Sequence, residues 1–156
     1  MAVTGPTASL ALGSLVIAPA GAGSIDVTGG GHLAATNATL PDEGGSAILA
    51  VSDPGSSLDV TTLDLASGGD ATLDLTTGAA MTSLAATIAT RGDATILLDG
   101  GGSSWTIDDP GRFGTASFVL GRGTLGALTV SPPPPTRTGT LTVSGGAQLT
   151  TDEAYL

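Results

Sequence analysis

Short segments of this chain alternate between apolar and polar residues, and each segment follows a glycine at a nearly constant spacing. In the third of them Gly69 leads Ala71, Leu73 and Leu75, and in the fourth Gly92 leads Ala94, Ile96 and Leu98. Alternation with period two predicts a β-strand in each segment, and a fixed spacing of about 23 residues predicts stacked copies of one unit. The glycines that set this spacing are Gly23, Gly45, Gly69, Gly92, Gly114 and Gly139.

Two further apolar series follow the first within each repeat, separated from it by glycine-rich corners. The second consists of Leu33, Leu58, Met81, Trp105, Leu128 and Leu149, and the weaker third consists of Ile17, Leu40, Leu65 and Ile88 and is then lost. Two or three short strands per repeat predict an all-β fold, a single-stranded parallel β-helix of six to seven rungs with about 23 residues per rung. A β-sandwich is the competing fold, but it does not require the apolar triplets to realign at one period.

We expect one solenoid domain over residues 1–156, with regular repeats over 22–149. The stretch 131–138 contains four consecutive prolines, which cannot donate hydrogen bonds to a sheet. It is predicted to form an extended surface loop between two rungs, and recognition by a proline-binding partner is the alternative.

Composition limits the classes of function. The chain has 4 Lys+Arg and 14 Asp+Glu, a formal charge of −10, and this balance argues against binding nucleic acid or anionic membrane. It has no cysteine, which excludes a disulfide framework and a thiolate metal site. No apolar stretch is long enough for a transmembrane helix, and the first basic residue is Arg91, so no signal peptide is expected.

The later repeats carry a recognisable string. Gly102-Ser103-Ser104-Trp105 is followed by Val119-Leu120-Gly121 and then by Gly139-Thr140-Leu141-Thr142-Val143 with Gly145-Gly146. This string resembles the β-helix repeats of type V secretion (autotransporter) passengers and of proteins exported with a PEP-CTERM sorting tail. The resemblance covers residues 102–149 most clearly. It implies a right-handed β-helix with a structural or adhesive role, forming an excerpt of a larger exported protein at the bacterial outer-membrane surface or outside the cell.

The candidates for carbohydrate-cleaving chemistry are two pairs of acidic residues, one of them near an arginine. Asp108, Asp109 and Arg112 form the closest set, and Asp59 with Asp64 forms a second one. Adjacent strand residues point to opposite faces, however, and Asp109-Pro110-Gly111 also fits a simple turn.

Other residues have competing structural explanations. Asp70 and Asp93 recur at one place in the repeat and either share a Ca²⁺ ion or occupy solvated corners. Trp105 is predicted to pack between rungs, with a sugar-stacking surface as the alternative. Arg91-Gly92-Asp93 spells an adhesion tripeptide that the repeat itself explains, and His32 has no evident partner for a metal site.

These observations predict a non-enzymatic structural or adhesive passenger segment without a cofactor or metal. Its expected partners are host-surface glycans or proteins and further copies that associate through the open solenoid ends. Membrane attachment is expected only through a barrel or anchor outside this chain. A carbohydrate-active β-helix and a phage tail-fibre module remain the alternatives.

Overall fold

A computed structural model describes residues 1–89, 91–108, 118–120, 138–151 and 154–155. This part of the chain is built from β-strands and contains no helix. Within these ranges no helix is present that could cross a membrane. The strands are β1 (Ala2–Thr4), β2 (Ser9–Val16), β3 (Gly21–Thr28), β4 (His32–Leu40), β5 (Gly45–Ser52), β6 (Ser57–Leu65), β7 (Asp70–Thr76), β8 (Ala80–Ile88), β9 (Ala94–Asp99), β10 (Ser104–Ile107), β11 (Phe118–Leu120), β12 (Gly139–Val143), β13 (Gln148–Thr151) and β14 (Ala154–Tyr155).

The strands form two parallel sheets through which the chain winds as a solenoid. Sheet A has the order β1-β3-β5-β7-β9-β12, and sheet B has the order β13-β10-β8-β6-β4-β2. Four turns, beginning at β3, β5, β7 and β9, each run from a strand of sheet A to the next strand of sheet B. Leu73 pairs directly with Leu49 on one side and Ile96 on the other, so equivalent residues of successive turns are neighbours. The parallel solenoid is confirmed, and the β-sandwich is excluded.

The core lies between the two sheets and consists of aliphatic side chains stacked in columns. From sheet A, Leu49, Leu73 and Ile96 are fully buried, and from sheet B, Leu33, Leu58 and Met81 face them. A narrow interior needs no large rings, and this explains how a chain with 3% aromatic residues still forms a continuous core.

The strands of sheet B bend near their middle. In β4, Ala35 and Ala38 are buried while Thr36 and Asn37 between them are exposed, so the alternation shifts by one residue at this point. The ladder from β4 to β6 also skips the pair Thr36 and Thr61. The second and third apolar series are therefore two halves of one bent strand, not separate strands. The local change of parity gave them the appearance of separate strands in the sequence.

A column of glycines marks the start of sheet A. Gly21 pairs with Gly45, and a Cβ on Gly69 would lie 2.5 Å from the carbonyl oxygen and 2.6 Å from the nitrogen of Gly45. Successive backbones approach too closely here for any side chain. The sequence assignment was wrong at the two outer copies, because Gly23 pairs with Ala47 and Gly139 pairs with Ala94, two residues further along the strand.

Serines satisfy the backbone at the corners between sheets A and B. Ser56 and Ser103 are buried, and their hydroxyls accept hydrogen bonds from Gly30 N (3.0 Å) and Gly78 N (2.9 Å) of the preceding turn. Buried backbone amides that leave the ladder need such partners, so these serines support the corners.

The last part of the chain departs from the expected repeat. Leu141 pairs directly with Ile96, so β12 is the direct neighbour of β9 in sheet A. Phe118–Leu120 pairs instead with Ala86–Ile88, the second half of β8, and extends the third apolar series beyond Ile88, where the sequence pattern ends. Gly114, Leu128 and the prolines of 131–138 lie outside the described residues.

Candidate functional site

A groove of about 670 Å³ follows the outer side of the bend in sheet B. It runs along the solenoid axis and crosses the strands of several turns. Its floor is formed by small and aliphatic residues, including Ala11, Ala34 and Leu84, and its polar lining includes Asp59, Thr82 and Asp108.

The groove exists because the strands of sheet B bend in register. Thr36, Thr61 and Leu84 occupy the bend in successive strands, and in each the ladder skips the bend residue. The column beside the bend begins with alanines and continues with an acidic residue and then threonines, so the groove is lined by small apolar side chains at one end and by polar side chains at the other. The column consists of Ala11, Ala34, Asp59, Thr82 and Thr106.

Asp59 is the best-connected polar side chain of the groove. Its carboxylate accepts a hydrogen bond from the Thr82 hydroxyl of the next turn. On the other side, the second carboxylate oxygen lies 3.6 Å from His32 Nδ1, and the same nitrogen lies 2.7 Å from the Ser57 hydroxyl. The expectation that His32 has no acid nearby is wrong, because residues 27 positions apart become neighbours when turns stack.

These contacts do not form a nucleophilic triad. In a serine hydrolase one imidazole nitrogen contacts the serine and the other contacts the carboxylate. Here Ser57 and Asp59 both approach Nδ1 of His32. This arrangement positions the Asp59 carboxylate and does not prepare the Ser57 hydroxyl for attack.

Of the candidate set Asp108, Asp109 and Arg112, only Asp108 lies in the described part of the chain. Asp108 is exposed and lines the groove, and its backbone amide donates to the Ser83 carbonyl at 3.0 Å. Asp109 and Arg112 lie outside the described residues. The lining of the groove therefore includes both Asp108 and Asp59, which belong to separate candidate sets in the sequence.

Trp105 is fully buried and does not belong to any surface site. It pairs with Met81 and Leu149 in the second apolar column, and its indole Nε1 donates to the Ser83 hydroxyl at 3.1 Å. The predicted packing between turns is confirmed, whereas a sugar-stacking surface would need an accessible ring and is wrong here.

Asp70 and Asp93 lie one turn apart, as the repeat predicted, and both contact backbone amides. Asp70 Oδ1 accepts from Asp93 N at 3.1 Å, and Asp93 Oδ1 accepts from Thr138 N at 2.8 Å. Within the described ranges no group of three or more histidine, cysteine, aspartate or glutamate residues is placed to hold a metal ion.

Two other carboxylates outside the groove lie against the sheets. Asp64 stands between Thr39 and Thr87 on the other half of sheet B, and Asp74 stands between Ala50 and Leu97 on sheet A. Partial burial raises the pKa of both carboxyls, because removal from water disfavours the charged form.

Asp59 and Asp108 are candidates in the sequence, whereas the groove is visible only in the structure. The signal that was present is the change of parity between Ala35 and Ala38, which places two consecutive residues outside and therefore requires a bend. Comparisons with protein-family models, with curated proteins and with solved structures find no match to this chain.

Proposed function

We propose that this chain is a structural and adhesive segment of a larger exported bacterial protein, of the kind represented by autotransporter passengers. In this proposal the coil is right-handed and has six to seven rungs, counting the flanking strands β1 and β2 and the strands from β12 onward. It holds a binding surface away from the cell, outside the outer membrane, and catalyses no reaction.

The observation that carries the proposal is the uninterrupted stacking of turns. Each described turn contacts the next through parallel ladders, and the second apolar column continues from Leu10 to Leu149 in sheet B. Such a coil is quasi-one-dimensional, since each turn depends only on its neighbours, and it suits a spacer whose length is set by the number of turns. The resemblance of residues 102–149 to exported repeats supports the cellular location.

Surface display tests this proposal. The full chain is fused upstream of an outer-membrane translocation barrel, and surface exposure, protease resistance and adherence of the cells to host glycans and proteins are measured. Ile96→Asp places a charge in the core and should abolish the protease-resistant surface form, while Ile48→Asp, at a residue 46% exposed on the same sheet, should preserve it. Failure of the wild-type chain to reach the surface in a folded form, or to increase adherence, would contradict the proposal.

Carbohydrate cleavage is the second candidate, and the presence of Asp59 and Asp108 in one groove favours it. A pair of carboxylates is the minimal set for glycoside hydrolysis, and cleavage here requires the two side chains to turn toward each other, since such pairs lie at most about 9.5 Å apart. Release of reducing or unsaturated ends from a polysaccharide panel by the wild-type chain, lost in both Asp59→Asn and Asp108→Asn, would establish this activity and overturn the non-enzymatic proposal.

A further inference from the structure

We infer that the groove along the bend of sheet B is a binding site for an extended basic peptide. This inference rests on the groove and its charges, and it stands whether or not the coil serves as a passenger.

The first argument is electrostatic. The described residues that line the groove include two carboxylates, Asp59 and Asp108, and none of them is basic. The whole chain carries a formal charge of −10, so its field also attracts a cation and repels an anion. Complementary charge of this kind mainly governs the choice of partner and the rate of association.

The second argument is the spacing of the two acids. Asp59 and Thr82 are paired in adjacent turns, and Thr82 is paired with Thr106, which lies two residues before Asp108, the first residue after β10. Two turns at about 4.8 Å each separate the acids by roughly 10 Å along the axis, and the offset of two residues adds roughly 7 Å across it, so the two positions lie roughly 12 Å apart. Four residues of an extended peptide span about the same length at roughly 3.3 Å per residue, and side chains at positions i and i+4 point to the same face. Basic side chains at positions i and i+4 therefore match the two carboxylates.

The third argument is the floor of the groove, which favours a peptide over a sugar polymer. Ala11, Ala34 and Leu84 give it an aliphatic surface, and Leu84 is 43% exposed. Sugar-binding sites commonly present an aromatic face, and none of the described lining residues is aromatic. Small residues leave space for a peptide backbone, and the Thr82 and Thr106 hydroxyls supply hydrogen-bonding groups along the wall.

The experiment uses the full chain and a labelled synthetic peptide with lysine at every fourth position and alanine or leucine between. A matched peptide with glutamate in place of lysine is the control ligand. Fluorescence anisotropy at low salt should show saturable binding of the lysine peptide alone, and the affinity should fall as salt is added. Absence of saturable binding, or equal binding of the glutamate peptide, would overturn the inference.

Two pairs of variants locate the site. Asp59→Asn and Asp108→Asn should each weaken binding by roughly 2- to 5-fold, while Asp26→Asn on sheet A should leave it unchanged. Ala34→Tyr fills the groove and should abolish binding, while Ala50→Tyr, on the outer face of sheet A, should not. Thermal unfolding measures whether each variant is folded. If Asp59→Asn does not fold, Asp108→Asn alone tests whether the carboxylates of the groove contribute to peptide binding.

Other outcomes would overturn the assignment. An equal effect of Asp26→Asn would mean that general charge attraction, and not the groove, binds the peptide. Unchanged binding by Ala34→Tyr would exclude the groove. A glucosamine oligomer that binds more tightly than the lysine peptide, with the same dependence on Asp108, would assign the groove to an amino-sugar polymer instead.

Discussion

The turns from β3 to β10 and the strands after them differ in how faithfully they follow the sequence repeat. In the earlier turns, Leu49, Leu73 and Ile96 succeed one another at intervals of 24 and 23 residues and lie side by side. The next neighbour in the same column is Leu141, 45 residues beyond Ile96. The core column therefore continues in space across a segment whose sequence contains a further copy of the pattern.

This difference shows what a periodic pattern determines. The alternation in Ala116, Phe118 and Leu120 matches that of a sheet A strand, yet the Phe118–Leu120 backbone pairs with the second half of β8 in sheet B. Alternation with period two identifies a strand, but a short strand with three apolar positions fits any of the columns. Its place is decided by the neighbouring backbone that offers unpaired hydrogen-bonding groups.

Shortening one core side chain in the regular turns and one in the last described turn should give the largest difference in the free energy of unfolding. Leu73→Ala removes a fully buried side chain from the regular turns and should lower the free energy of unfolding by about 2–5 kcal/mol. Leu141→Ala, at a partly buried position in the last described turn, should lower it by about 1 kcal/mol. Urea unfolding monitored by circular dichroism measures both. Equal losses would mean that the last turn is packed as tightly as the others.

The glycine column gives the next contrast, because it exists only in the regular turns. Gly69→Ala should cost about 2–4 kcal/mol, since its methyl group would meet backbone atoms of Gly45 that cannot rotate away. Gly101→Ala is the control: its φ is not left-handed, and the nearest atom to an added Cβ, Gly145 O, is 3.9 Å away. If Gly69→Ala unfolded at the same urea concentration as the wild-type chain, successive turns would have to be further apart than described.

The smallest effect concerns the charge on sheet A. The pKa of Asp74 is raised above its usual 3.8 by burial between Ala50 and Leu97. At pH values between the unfolded and the folded pKa, the folded state therefore binds a proton that the unfolded state has released. Stability from this group therefore falls as pH rises from about 4 through the raised pKa, and it stays lower at neutral pH.

Asp74→Asn should remove this loss and raise the melting temperature near pH 7 by less than about 2 °C, with a difference that vanishes near pH 4. Scanning calorimetry at the two pH values measures it. Asp26→Asn removes the same formal charge from an exposed position of the same column and serves as the control. A gain of equal size in Asp26→Asn would attribute the effect to net charge and not to burial at Asp74.

The sequence predicted the stacking, the parallel strands and most of the core, because apolar residues that recur in register identify a solenoid directly. It predicted the inward position of Trp105, but it did not exclude the exposed alternative, since one residue does not reveal what covers it. The bend in sheet B could not be predicted from the sequence, because the shift of alternation between Ala35 and Ala38 looks the same as a short turn between two strands. The contact of His32 with Asp59 could not be predicted either, because it depends on the directions of the side chains in adjacent turns.

The most direct test of the stacking is disulfide formation between outward-facing residues, which is clean because the chain contains no cysteine. Thr72 pairs with Thr95 in the regular turns, and Thr95 pairs with Thr140 across the departure from the repeat. Directly paired positions lie within the Cα separation of about 4.4–6.8 Å that a disulfide spans, whereas positions two turns apart do not. Under mild oxidation, Thr95→Cys with Thr140→Cys should cross-link as completely as Thr72→Cys with Thr95→Cys, while Thr72→Cys with Thr140→Cys should not. Cross-linking in the first pair of the regular turns but not between positions 95 and 140 would place another turn between β9 and β12 and contradict the account.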